Sequence, residues 1–237
     1  MDERGASVFE RDDLRILAIE TATEACSVAL GDGRYRQQRY RHAPRQQTEL
    51  LLPMVDELLQ EAGWSLSMID VFAYSAGPGA FSGVRLGAAA VQGLAFACRR
   101  PVLAVSSLQT LAQGAFRQHG EERVLALFDA RMNEVYAAYY EVRAGWAQAL
   151  AEDAVLAPGA LPVQPGSWFL AGNGLGLAGL PGELQRHGED AGLWPQALDV
   201  LDLARQQARA GLARAPEQAL PVYLRHNVWK KLPGRSL

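Results

Sequence analysis

Two cysteines and four histidines are all that this 237-residue chain offers to a disulfide or a transition metal. Cys26 and Cys98 stand in different predicted elements and no Cys-x-x-Cys occurs, so no disulfide framework can be argued. His42, His119, His187 and His226 never share a helix face at i, i+4 spacing, which leaves a transition-metal site without its usual pattern. Gly-x-Ser-x-Gly is also missing, and spacing gives neither Ser75 nor Ser82 a His or Asp partner. There is no basic excess: the formal net charge is −3. Proteins that grip nucleic acid alone need a basic face, so this balance argues against one, local patches aside. No apolar run approaches the length of a membrane span. Residues 1–13 are charged and lack the apolar centre of a secretory signal, so the expected setting is reduced and cytoplasmic.

What is present is a globular composition, 49% hydrophobic, long enough for one large or two small domains. Residues 1–13 read as a disordered extension. Residues 14–19 and 26–30 read as strands, and Gly31-Asp32-Gly33 turns the second into 34–41, polar enough for a sheet edge. A helix is predicted over 47–62, capped by Thr48 and stopped by Gly63, with Pro53 either kinking it or lying in its first turns. A strand over 71–75, a helix over 82–98 with Ser82 as its cap, a strand over 102–105 and a helix from Ser106-Ser107 to about residue 118 follow. Beyond residue 142 the pattern weakens to a short strand at 168–171 and a last helix over 200–213.

An internal repeat organises this list. Leu17-Ala18-Ile19-Glu20 and Leu125-Ala126-Leu127-Phe128-Asp129 are both apolar strands that end on a carboxylate. Six residues after each carboxylate a second strand opens, at Cys26 and at Val135. A strand, an acidic hairpin and a second strand thus occur twice, which predicts two similar α/β lobes. We place them at 14–118 and 119–214, with 215–237 packing back on the first.

Three features bear on chemistry. The stretch Ser75-Ala76-Gly77-Pro78-Gly79-Ala80-Phe81-Ser82-Gly83 is a tight turn between strand and helix. Gly77 and Gly79 can take positive φ there, and backbone N–H groups at a helix start suit an anion; a bare turn without a ligand is the alternative. The acidic hairpins Glu20-Thr21-Ala22-Thr23 and Asp129-Ala130-Arg131-Met132 resemble the phosphate hairpins of actin-like kinases and ATPases. Neither contains glycine or lysine, however, and each carboxylate can instead satisfy amides of its own turn. Finally, the helices over 47–62 and 82–98 carry more apolar and small positions than one core-facing stripe needs. Either they form an interface or both are buried within the chain.

Ile16-Leu17-Ala18-Ile19-Glu20-Thr21-Ala22-Thr23-Glu24-Ala25-Cys26-Ser27-Val28-Ala29-Leu30, Gly77-Pro78-Gly79-Ala80-Phe81-Ser82-Gly83-Val84-Arg85, Asp129-Ala130-Arg131-Met132-Asn133-Glu134-Val135-Tyr136 and Pro221-Val222-Tyr223-Leu224-Arg225 follow in order. Together they resemble the TsaB (YeaZ) family, over nearly all of residues 14–234. The resemblance implies an actin-like fold of the sugar-kinase/Hsp70 (ASKHA) type, two-lobed, with duplicated RNase H-like halves. It implies a non-catalytic subunit in the formation of threonylcarbamoyl-adenosine beside the tRNA anticodon. The catalytic paralogue TsaD would carry the metal and dock through a helical bundle. The ATPase TsaE would dock on that pair, and TsaC would supply the threonylcarbamoyl-adenylate. The chain alone could form a homodimer or stay monomeric, tRNA would be reached only through the complex, and no membrane would be involved. No cofactor of its own is implied, although the partner interface leaves room for a nucleotide.

On this basis the helices over 47–62 and 82–98 become the docking surface. The expected contacts are Leu51, Val55, Leu58, Leu59, Val84, Gly87 and Val91, and Gly87→Arg is expected to block docking in a chain that stays folded. Two departures stand out. Position 20 is Glu where the family commonly has Asp, and Arg45-Gln46-Gln47-Thr48 replaces an Arg-Glu-His-Thr-like start of the first helix. The rival readings are an ATP-dependent phosphotransferase using Glu20, Asp129, Gly77 and Gly79, and a metal-dependent peptidase, for which the sequence presents neither metal ligands nor an activated nucleophile. The basic tail with Trp229, Lys230, Lys231 and Arg235 reads as solvated.

Overall fold

Continuous apolar runs build the first sheet, because both of its faces are covered. In the computed structural model, which describes residues 13–177 and 179–225, these runs are β1 (Ile16–Glu20), β2 (Ala25–Gly31) and β4 (Val71–Gly77), buried at every position. The polar β3 (Arg36–His42) lies at one edge, as expected, and β5 (Val102–Ser106) at the other, in the order β3-β2-β1-β4-β5. The first three strands are antiparallel, with Glu20 opposite Ser27; β4 and β5 run parallel to β1.

The second sheet repeats this plan. It contains β6 (Arg123–Asp129), β7 (Val135–Arg143), β8 (Trp146–Ala149), β10 (Trp168–Ala171) and β11 (Arg186–Asp190), in the order β8-β7-β6-β10-β11. A short β9 (Ala154–Leu156) also pairs with β7. Position by position this is the order of the first sheet, so the internal repeat is a duplicated RNase H-like half. The fold is two-lobed, α/β and actin-like.

Helices α1 (Gln47–Ala62) and α2 (Phe81–Cys98) cover one face of the first sheet, where Leu51, Leu58 and Val91 pack with Leu17, Phe72 and Tyr74. Helix α3 (Ser107–His119) follows β5 yet packs on the second sheet, Leu108, Leu111 and Ala115 against Val124, Phe128 and Tyr140. Helix α4 (Ala197–Arg209) follows β11 yet packs on the first sheet, Val200, Leu201 and Ala204 against Ile16, Ala18 and Val105. The two sheets therefore exchange helices. Where these cross, Arg117 of α3 bonds the fully buried Asp199 of α4 through Nε at 2.7 Å and Nη2 at 2.9 Å. That bond holds the guanidinium above its ordinary pKa, while burial raises the carboxyl. Among the described residues no α-helix covers the outer face of the second sheet; leucines of the connecting segments, such as Leu175 in a short 3-10 turn, pack against its core of Trp168 and Tyr139.

Helix ends differ from expectation at two caps. Thr48 lies inside α1, which starts after Gln46 without a side-chain cap. Ser82 lies in the first turn of α2, because the backbone is extended only as far as Ala80, and Ala80 has no side chain to cap with. The expected cap of α3 is present, Ser106 Oγ accepting from the Gln109 amide at 3.2 Å. Gly63 ends α1 in the left-handed region, and α1 runs through Pro53. By length and mean hydropathy, 1.3 over 18 residues, α2 meets the minimum for a membrane crossing, a run that the sequence reading did not anticipate. Its many Ala residues raise the average while adding little bulk, and Val84, Val91 and Ala95 are buried in this fold. The expected extension, but for residue 13, and the basic tail lie outside the described residues.

Candidate functional site

The two repeat carboxylates end β1 and β6, and each is held by its own turn. Glu20 Oε1 accepts from the Ala22 amide at 2.6 Å. Asp129 Oδ1 accepts from the Arg131 amide at 2.7 Å, and Arg131 Nη1 reaches Oδ2 at 3.0 Å. The Glu20 side chain is fully buried, and Oε2 has no hydrogen-bond partner at bonding geometry. Burial pushes its carboxyl up to about 7, against the pull of the neighbouring Ser75 hydroxyl and the Ala22 amide. Burial, with Glu20 behind it, raises the Cys26 thiol to about 12.

The glycines of the turn serve the protein's own backbone. A Cβ on Gly79 would run into the Ala22 carbonyl, and one on Gly83 into the Thr21 carbonyl. The first hairpin is thereby pressed onto the loop, with Ala80 N donating to Ala22 O at 2.7 Å and Thr21 Oγ1 to Gly83 O at 2.8 Å. Gly77 has φ +115°, and a Cβ there would stand 2.7 Å from Val222 O. Three amides of these turns, those of Ala22, Ala80 and Arg131, are engaged within the protein.

The C-terminal segment bridges the lobes. Leu220 O accepts from Tyr74 Oη at 2.9 Å, and Val222 N donates to Ala76 O at 2.8 Å. Tyr223 Oη accepts from Arg85 Nε at 2.7 Å. Arg225 then crosses to the second hairpin, pairing with Glu134 and donating to Ala130 O at 3.3 Å. That hairpin tip is strained: Arg131, Met132 and Asn133 all have left-handed φ, 64°, 57° and 60°, at a cost of roughly 1–2 kcal/mol each for Arg131 and Met132, while asparagine tolerates the region. Both hairpins, the start of α2 and residues 222–225 enclose a cleft of about 640 Å³. Arg85, Tyr223 and Arg225 lay within quoted motifs, but nothing in the sequence showed that they converge.

The expected docking residues are elsewhere than supposed. Leu51, Val55, Leu58, Leu59, Val84, Gly87 and Val91 are all buried in the chain's own core. Apolar periodicity marked the inward face of each helix, and a Cβ on Gly87 would stand 2.8 Å from Thr21 Oγ1. Gly87→Arg thus attacks the fold, contrary to expectation. The outward face of the same helices carries Leu52 (56% exposed), Ala89, Gly93 and Phe96 (65% exposed), and a Cβ on Gly93 meets nothing within 4 Å. Among the described residues, no group of three His, Cys, Asp or Glu side chains is placed to hold a metal ion.

Comparison with known proteins is consistent along the chain. The family model described as "TsaD: tRNA N6-adenosine threonylcarbamoyltransferase" matches residues 41–171. The chain is 44% identical to the tRNA threonylcarbamoyladenosine biosynthesis protein TsaB of Escherichia coli (strain K12), over 94% of this chain and 100% of that one. It is 38% identical to the Haemophilus influenzae protein of the same name, over 94% and 99%. Among solved structures, YeaZ from Pseudomonas aeruginosa superposes with a TM-score of 0.85 at 47% identity, covering 89% of this chain and 99% of that chain.

Proposed function

The chain belongs to the TsaB family of tRNA threonylcarbamoyladenosine biosynthesis proteins, and from that premise we propose that it is the non-catalytic scaffold of the modifying complex in the cytoplasm. It docks the catalytic paralogue TsaD and, on that pair, the ATPase TsaE, while TsaC supplies the activated threonylcarbamoyl group. tRNA is reached through the assembled complex.

The observation that carries this reading is the outward face of α1 and α2. Leu52 of α1 and Phe96 of α2 stand in solvent, and α2 exposes the small residues Ala89 and Gly93 as well. Small residues let a partner helix approach closely, and large exposed apolar side chains beside them mark an interface. In the absence of the paralogue the same face supports a homodimer. The engagement of the Ala22, Ala130 and Arg131 amides within their own hairpins counts against a phosphotransferase, which would turn hairpin amides toward the phosphates.

The test combines purified chain with TsaD in size-exclusion chromatography with light scattering. A parallel modification assay contains tRNA, threonylcarbamoyl-adenylate, TsaE and ATP. A discrete complex is expected, with modification that requires this chain. Gly93→Arg should lose both while keeping its fold, since space is open there. Full modification without the chain would overturn the reading.

A further inference from the structure

The C-terminal end of α2, remote from the cleft between the lobes, opens onto a second hollow. Phe96, Arg99, Arg100 and Pro101 line one side and residues 213–217 the other, around a volume of about 830 Å³. Its second wall is tied to the first lobe. Arg214 exchanges backbone hydrogen bonds with Val102, at 2.8 and 2.9 Å, and Gln92 Nε2 donates to Pro216 O at 3.4 Å. The hollow is thus formed before anything fills it, as binding sites usually are.

Three arginines line it, against one carboxylate, Glu217. Arg100 is committed: Nη2 donates to Ser67 O at 3.3 Å, and Nη1 stands 3.9 Å from Asp70 Oδ1. Arg99 and Arg214 are exposed, and among the described residues no carboxylate lies within ion-pair distance of either. Beside them the Phe96 side chain is 65% exposed.

Arg99 stands where the chain elsewhere places glycine. Helices α1 and α3 end on Gly63 and Gly120, at φ 65° and 75°; α2 ends in the same left-handed region on Arg99, at φ 53° and ψ 46°. Glycine is usual there because a Cβ is strained. The dipole of α2 favours a cation at this end, but the next residue, Arg100, supplies one without positive φ. Strain kept where glycine would serve points to a role outside the fold.

We propose that this hollow docks an acidic segment of a partner protein, with its carboxylates on Arg99 and Arg214 and an apolar side chain against Phe96. Arginine forks match carboxylates bidentately, and arginine beside an exposed aromatic ring is what protein interfaces concentrate. RNA fits less well. Its affinity grows with the number of phosphates neutralised, and here two unpaired arginines stand beside Glu217 on a chain of net charge −3. Phe96 also belongs to the outward face of α2, so a protein docked there has the hollow within reach. The proposal takes only that direction of approach from the docking reading, and its test omits the paralogue, so the two fail separately.

The test is fluorescence anisotropy of the full chain with a fluorescein-labelled peptide, Glu-Asp-Leu-Phe-Glu-Asp-Glu. The comparison probes are the same peptide with Gln and Asn replacing every acid, and a labelled oligouridylate. The acidic peptide should bind with a Kd below about 0.5 mM, and the uncharged one about tenfold more weakly or worse. Arg99→Gly relieves the left-handed strain, so its Tm should equal or exceed the parent's while peptide binding weakens about fivefold or more. Loss of binding in that variant cannot then be loss of fold. Arg214→Gln, on the opposite wall, should weaken binding by a similar factor and keeps the test valid should Arg99→Gly melt early. The proposal is overturned if the acidic peptide does not bind at about 5 mM, if both variants bind it as the parent does, or if the uncharged peptide binds equally well. Binding of the oligouridylate about tenfold more tightly than the peptide would overturn it in favour of RNA. A change of oligomeric state in Arg99→Gly by light scattering, with peptide affinity unchanged, would overturn it in favour of a second copy of this chain.

Discussion

Glu20→Gln is the substitution from which the structure predicts most. The carboxyl is fully buried, its Oε2 has no partner at bonding geometry, and its pKa stands at about 7 against an ordinary 4.5. Between those two pH values the folded chain holds a proton that the unfolded chain has released. Stability is therefore fully present below about pH 4.5 and falls as pH rises through about 7. At about 1.4 kcal/mol per unit, the loss is on the order of 3 kcal/mol. Glutamine has the same shape, keeps the acceptor for the Ala22 amide and cannot ionise. The other groups facing position 20 are Cys26 and Tyr40, whose pKa values burial and Glu20 raise, and the hydroxyls of Ser27 and Ser75. None of them titrates inside this window. Urea unfolding of parent and variant at intervals from pH 4.5 to 8.5, followed by far-UV circular dichroism, gives the difference directly. Near equality at the acid end and an advantage of about 3 kcal/mol for the variant at pH 8 are expected, or roughly 6–12 °C in Tm for a chain of this size. A difference that does not change with pH, or a variant less stable throughout, would refute the reasoning and make Glu20 an ionised group with a partner.

The other expectations concern packing and caps. Arg117→Met leaves Asp199 buried without its partner and should cost about 3 kcal/mol in denaturant unfolding, the low end for a broken buried pair, because 27% of the arginine side chain already reaches water. Gly87→Arg should fail to give a folded monomer by circular dichroism, in contrast to Gly93→Arg on the outward face of the same helix. Ser106→Ala should cost about 1 kcal/mol or more through loss of the α3 cap and of the bond to Asp153, whereas Ser82→Ala should stay within about 0.5 kcal/mol, since Ser82 caps nothing.

The parts of the fold legible in the sequence are those where burial is periodic. The bounds of α1 follow from its apolar spacing and from Gly63, and β10 was legible as a short apolar run. Strand β11, Arg-His-Gly-Glu-Asp, is wholly polar because it forms an edge, so no alternation betrays it. Strands β8 and β9 are too short to show a period. Periodicity found the helices that matter for docking but pointed to their inward faces, since apolar spacing reports burial without saying what does the burying. The motifs that form the cleft were each visible. Their meeting was not, because a spacing along the chain says nothing of Arg225 lying beside Ala130.

The exchange of α3 and α4 turns a duplicated sequence into one indivisible object. Each sheet borrows the helix that seals it from the opposite half. A chain cut between α3 and β6 would leave two fragments, each with a row of Leu and Val side chains facing water, at roughly 1.5–3 kcal/mol apiece. Neither half can then be inherited, expressed or melted alone, although each contains a complete strand plan. The seam where the two borrowed helices cross is closed by the grip of Arg117 on Asp199.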